Sequence, residues 1–110
     1  MLIAVASQNM NGLNDIIPQL FGRSPAFTII EIKNGIMEEV IVQRNTSSKA
    51  EHGAGPTTCM RLKMINVDTI IAAEFGPTVS TILTEAKINM VEMKAGTKVK
   101  DAINQYLMNP

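Results

Sequence analysis

The sequence predicts an α/β sandwich built on a mixed sheet, and three observations predict it. Asn34-Gly35 separates two apolar runs, residues 27–32 and 36–42, and both turn residues tolerate the positive φ of a two-residue hairpin. Residues 67–73 form a run that is continuously apolar after Asp68, typical of a strand covered on both faces. Stripes at helical spacing flank that run: Cys59, Leu62 and Ile65 before it, then Val79, Ile82, Leu83 and Ala86 after it. A hairpin followed by βαβ units implies a mixed sheet with helices packed against it.

The elements follow in order. Residues 2–6 read as a short buried strand. Residues 7–24 have little periodicity and are rich in Asn, Gln, Gly and Pro, so they read as a long loop of the functional or mobile kind. The hairpin supplies the second and third strands. Residues 43–55 form a second irregular stretch, ending in His52-Gly53-Ala54-Gly55. Pro56 suits the first turn of the first helix, and Gly76-Pro77 opens the second. Residues 88–92 read as a fifth strand. Thr97 is placed to cap a last helix whose apolar face is Val99, Ala102, Ile103, Tyr106 and Leu107. Lys98 and Lys100 oppose that helix dipole, which predicts a loose first turn.

Composition bounds the function. The chain has 110 residues, enough for one cohesive core, and residues 1–110 read as a single domain. Ten basic residues balance ten acidic ones. That balance argues against a nucleic-acid partner and against a polybasic membrane anchor. One Cys and one His exclude a disulfide framework, a CxxC motif and a four-ligand zinc site made of Cys and His alone. No apolar stretch approaches the length of a membrane span, and the N-terminus lacks the basic region of a signal peptide. The expectation is a cytoplasmic protein, in which the sequon Asn45-Thr46-Ser47 carries no glycan. Aromatics are 4% and methionines number eight, so the core is expected to be aliphatic with thioether filling; only Met60 and Met64 share helical spacing.

Topology brings the loops together. With strand one antiparallel to strand two, and two antiparallel to three, strand three runs parallel to strand one. A right-handed crossover makes strand four parallel to it as well. The segments 7–25, 43–56 and 74–77 then leave the sheet at one edge. If strands one and four are neighbours, that edge holds a topological switch point, the usual ligand crevice of an open α/β sheet. Two helix N-termini, at Gly55-Pro56 and Gly76-Pro77, point there and favour an anion.

Phe21-Gly22-Arg23-Ser24-Pro25 followed by Phe27 resembles the FGR-small-P-x-F signature of the dinitrogenase iron–molybdenum cofactor biosynthesis family, the nitrogenase accessory factor-like proteins. Asn45, His52-Gly53-Ala54-Gly55, Val67-Asp68, Phe75-Gly76-Pro77, Leu83 with Ile88, and Gly96-Thr97 follow that pattern in order, over nearly the whole chain. The resemblance implies a ribonuclease H-like three-layer α/β/α sandwich. Its sheet would be five-stranded and mixed, of order 3-2-1-4-5 with strand two antiparallel. It also implies binding of an iron–sulfur or iron–molybdenum-type cluster and its transfer between donor and acceptor assembly proteins. The 110 residues are expected to form one such domain, without the extra domains of the family's larger members.

Within that frame His52 is the candidate metal ligand, since imidazole coordinates iron and flanking glycines admit a bulky cluster. The plain alternative is a solvated loop histidine. Arg23, Ser24, Asn45, Gly53, Gly55 and Gly76 are the candidate cofactor-binding residues. Arg23 could pair with an anionic cluster or could instead bond loop carbonyls. The glycines could cradle a cluster or merely turn the chain into helices; HGAG is not a P-loop. Cys59 shares its side with Leu62 and Ile65, which favours a core thiol over a ligand, and one thiolate does not hold a cubane cluster. Glu74 is a weaker acid or metal-ligand candidate at the end of a buried strand.

Three functions compete. A non-enzymatic carrier of a transiently bound cluster needs a crevice, few ligands and reversible release. A ribonuclease H-like hydrolase needs several carboxylates around two metals, one of them on the first strand, and residues 2–7 contain none. A regulatory module could bind a small anionic metabolite at the two helix N-termini. The carrier is the expectation and no enzymatic activity is predicted. Oligomeric state is open: the third or the fifth strand could pair between chains.

Overall fold

In the computed structural model, which describes residues 1–108, five strands and three helices alternate in the expected order. β1 (Leu2–Ser7) is followed by a 3₁₀ turn at Gly12–Asn14, then the hairpin of β2 (Ala26–Lys33) and β3 (Ile36–Arg44). α1 (Ala54–Met64), β4 (Thr69–Ala72), α2 (Pro77–Glu85), β5 (Asn89–Glu92) and α3 (Val99–Met108) complete it. The sheet order is β3-β2-β1-β4-β5. β2 is antiparallel to β1 and β3, while β1, β4 and β5 run parallel.

The sheet is a two-sided core. Ala4, Ala6, Phe27, Ile29 and Ile70 face α1 and α2, where they meet Cys59, Leu62, Val79 and Leu83. Ile3, Val5, Ile30 and Ile71 face α3 and meet Val99, Ala102 and Ile103. This explains why β1 and β4 read as unbroken apolar runs: both of their faces are covered. The two helical layers make the three-layer sandwich. Asn34 and Gly35, at φ 54° and 75°, form the hairpin turn. A bulge between Glu31 and Ile32 leaves Glu38 without an opposite residue in β2.

Three local expectations are corrected. α1 begins at Ala54 rather than at Pro56, so Gly55 lies inside its first turn. Gly53, left-handed at φ 72°, is the entry residue, and a left-handed entry carries no side-chain cap signal to read. Thr97 does not cap α3, because its hydroxyl turns back to donate to the Lys94 carbonyl at 2.6 Å. The start of α3 is tied down rather than loose. Val99 N–H donates to the Asp15 carbonyl at 2.9 Å, and Ile17 N–H donates to the Thr97 carbonyl at 2.9 Å. No helix among the described residues is long and apolar enough to cross a membrane.

Candidate functional site

Strands β1, β3, β4 and β5 share one direction, so the segments leaving them gather at one edge of the sheet. β1 feeds a chain that returns toward β2, and β4 one that moves on to β5, which makes the β1–β4 boundary the switch point.

The first of these segments is ordered by a residue that the sequence reading missed. Asp15 is 1% exposed. Its carboxylate accepts from Asn9 N–H with both oxygens (3.1 and 3.0 Å), from Asn11 N–H at 3.1 Å and from Ile16 N–H at 2.8 Å. Three backbone donors on one carboxylate convert an Asn-rich loop into a fixed turn. An Asp among turn-forming residues was the available signal.

The same segment then grips the others. Phe21 N–H donates to the Glu74 carbonyl at 3.1 Å, and Gln19 Nε2 donates to Glu74 Oε1 at 2.7 Å. The Phe21 ring lies 5.5 Å from Phe75 and 5.6 Å from Phe27, centroid to centroid. Gly22 and Gly55 touch backbone to backbone: a Cβ at Gly22 would lie 2.8 Å from Gly55 Cα. A Cβ at Gly55 would in turn lie 2.8 Å from Val79 Cγ2 on α2. The two glycines therefore let the N-termini of α1 and α2 meet behind the first loop. The expected convergence of the three segments is observed.

Each candidate residue has a definite place in this arrangement. Ser24 is buried and its hydroxyl donates to the Leu20 carbonyl at 3.0 Å. Asn45 is buried too; its Nδ2 donates to the Ser24 carbonyl at 2.9 Å and to Thr58 Oγ1 at 3.1 Å, and its Oδ1 accepts from Ser47 N–H at 3.2 Å. The Arg23 guanidinium donates to the carbonyls of Ser48, at 3.2 Å, and Ala50. Arg23 and Asn45 thus join the first and second loops, while the Ser24 hydroxyl closes a turn within the first. Gly55 is packed in the α1–α2 contact. His52, Gly53 and Gly76 are exposed at the rim, and a Cβ at Gly53 or Gly76 would meet nothing within 4 Å.

Gly53 and Gly76 are the N-caps of α1 and α2, and neither helix has a side-chain cap or an acidic residue in its first turn. Their first-turn N–H groups have no helical acceptor. The positive ends of two helix dipoles thus lie close together at the rim beside His52.

A family model described as dinitrogenase iron-molybdenum cofactor matches residues 1–109. The chain belongs to the dinitrogenase iron-molybdenum cofactor family. An uncharacterized protein of Methanocaldococcus jannaschii is 27% identical over 94 residues, covering 86% of this chain and 79% of the relative. The apo form of the orange protein from Desulfovibrio gigas superposes with a TM-score of 0.88 at 23% identity, over 97% of this chain and 87% of that one. A Thermotoga protein, solved by NMR as a candidate NifB protein of the DUF35 family, gives 0.79 at 26% identity, over 98% and 88%.

The set of metal-donor side chains is sparse. Among the described residues no group of three or more His, Cys, Asp or Glu is placed to hold a metal ion. Cys59 is 1% exposed on the core side of α1, and burial pushes its thiol from 9.0 up to about 11. The thiol form therefore prevails at neutral pH, and the residue fills the core with Leu62 and Leu83. Beside the rim, Gln19, Glu74, Glu92, Met93 and Lys94 line a broad open cavity of about 570 Å³ at the ends of β4 and β5.

Proposed function

We propose that this chain is a non-enzymatic carrier for an iron–sulfur or iron–molybdenum-type cluster, handing it from a donor to an acceptor assembly protein. The observation that carries the reading is the placement of His52 beside left-handed Gly53, at a rim where two uncapped helix N-termini meet, in a chain of the dinitrogenase iron-molybdenum cofactor family. The cluster is cargo in this reading. The protein supplies one exposed imidazole, N–H donors for the anionic face of the cluster and an open approach over glycine. A single exposed side-chain ligand suits release as well as capture, because an acceptor protein can replace it without prying open a closed site. Arg23, Ser24 and Asn45 contribute by fixing the two loops that frame the rim. The reading places the protein in the cytoplasm, where cluster assembly proceeds.

Anaerobic addition of an iron–sulfur or iron–molybdenum cluster, followed by gel filtration and absorbance spectroscopy, tests the reading. The cluster chromophore is expected to co-elute with the protein and to be lost or weakened in His52→Ala. Absence of any co-eluting chromophore overturns the carrier. A chromophore that His52→Ala leaves unchanged removes His52 from the site.

The paired, uncapped helix N-termini also favour a second reading, a regulatory module that binds a small anionic metabolite in the same crevice. Calorimetric titration with phosphorylated and carboxylated metabolites separates the two. Saturable binding of such an anion, with no retention of cluster, favours the module.

A further inference from the structure

The sheet has two edges, and they are built differently. β5 is only four residues long. β3 has nine, and it carries Ile36 at 66% exposed and Ile41 at 52% exposed, with Val40 exposed beside Ile41. A long edge strand with an exposed apolar centre offers a row of unpaired backbone donors and acceptors, which proteins otherwise keep short or cover. Ile41 also borders a groove of about 230 Å³ that it shares with Leu2, Ile29 and Ile65 on the α1 face of the sheet, with Glu39 and Gln43 beside it.

We propose that β3 is a dimerisation edge and that its occupant is the β3 strand of a second copy of this chain, paired antiparallel about a two-fold axis at Ile41. The pattern of the strand selects this occupant. Glu38 and Glu39 lie at its start, Val40, Ile41 and Val42 at its centre, and Arg44 at its end. Antiparallel pairing about Ile41 sets Ile41 against Ile41, Val40 against Val42, Glu39 against Gln43 and Glu38 against Arg44. Each acidic residue then avoids its own kind, and the ion pair occurs twice by symmetry. A parallel neighbour would instead align Glu with Glu and Arg with Arg. The bulge leaves Glu38 without an opposite residue in β2, and its only ion-pair contact among the described residues is the exposed one with Lys33 at 3.7 Å. Such exposed pairs are readily exchanged. Ile41 of each copy would lie over the junction of the two grooves and cover apolar surface that the monomer leaves wet. The two-fold closes the assembly at two copies, so the edge does not propagate into fibres.

Sedimentation equilibrium of the full chain across the micromolar range tests this. A monomer–dimer equilibrium is expected, and Ile41→Lys is expected to raise its Kd by about tenfold or more. Glu38→Arg and Arg44→Glu are each expected to weaken the dimer, and the double charge swap to restore it. All three positions are exposed, so circular dichroism should report an unchanged fold. A chain that stays monomeric throughout overturns the proposal, as does a dimer indifferent to Ile41→Lys. A dimer that the double swap fails to restore overturns the Ile41-centred register.

Discussion

Gly22 and Gly55 lie backbone against backbone, with only 2.8 Å between the place a Gly22 Cβ would occupy and Gly55 Cα. This contact joins the first loop to the first turn of α1, and Gly55 passes the contact on to Val79 of α2. A side chain at Gly22 must push apart backbone segments, whereas one at Gly55 would press on the Val79 methyl. Backbone cannot swing aside as a flexible side chain can.

Gly22→Ala is therefore expected to destabilise the protein by about 2 kcal/mol, the usual cost of forcing atoms into a filled site. Thermal and urea unfolding should show it. An unchanged melting temperature would mean that the loop and helix are not in contact. Gly53→Ala makes an informative companion, because its cost comes from left-handed φ rather than from crowding.

Asp15 predicts a larger loss. Its buried carboxylate is the common acceptor for the N–H groups of Asn9, Asn11 and Ile16. Asp15→Ala leaves these donors without their acceptor, for an expected loss of about 3 kcal/mol. Amide exchange resolves the cause. Asn9, Asn11 and Ile16 should lose protection first, while β1 retains its own until global unfolding.

These two contacts mark the limit of what the sequence discloses. The succession of elements and the helix faces were legible because burial on both faces of β1 and β4, and on one face of α2, imposes a pattern on residue type, whereas the order of strands in the sheet came from the family resemblance. The convergence of three loops followed from strand direction alone. The contacts within those loops have no period. An Asp among turn formers signals a local bond but not that Asp15 will reach the amides of both Asn9 and Asn11, and nothing local says that Arg23 will meet the carbonyls of residues some 25 positions later. Residue type likewise singled out Ser24 and Asn45, but only the path of the loops shows that the Asn45 amide donates to the Ser24 carbonyl while the Ser24 hydroxyl turns back to Leu20.

Arg23 is a clamp on the second loop, and that role predicts a specific phenotype. Arg23→Ala frees the carbonyls of Ser48 and Ala50 and should loosen the segment that carries His52. Because Arg23 is exposed, the expected cost in global stability is below about 1 kcal/mol. Limited proteolysis should detect faster cleavage within residues 46–52 than in the parent protein. Equal cleavage rates would show that these hydrogen bonds do not order the loop.

Cys59 predicts the pH response. Burial raises its thiol to about 11, so the folded protein holds the proton that an unfolded chain releases near 9.0. A group raised in this way contributes its full stabilisation below pH 9, and that contribution is lost as pH rises toward 11. Alkylation by iodoacetamide should be slow at pH 7 in the native state and fast in urea. Cys59→Ala is expected to flatten the decline in stability between pH 9 and 11 while lowering stability at pH 7 by about 1 kcal/mol through the cavity it leaves. Rapid alkylation of the native protein at pH 7 would contradict the buried thiol, and with it the assignment of Cys59 to the core rather than to metal.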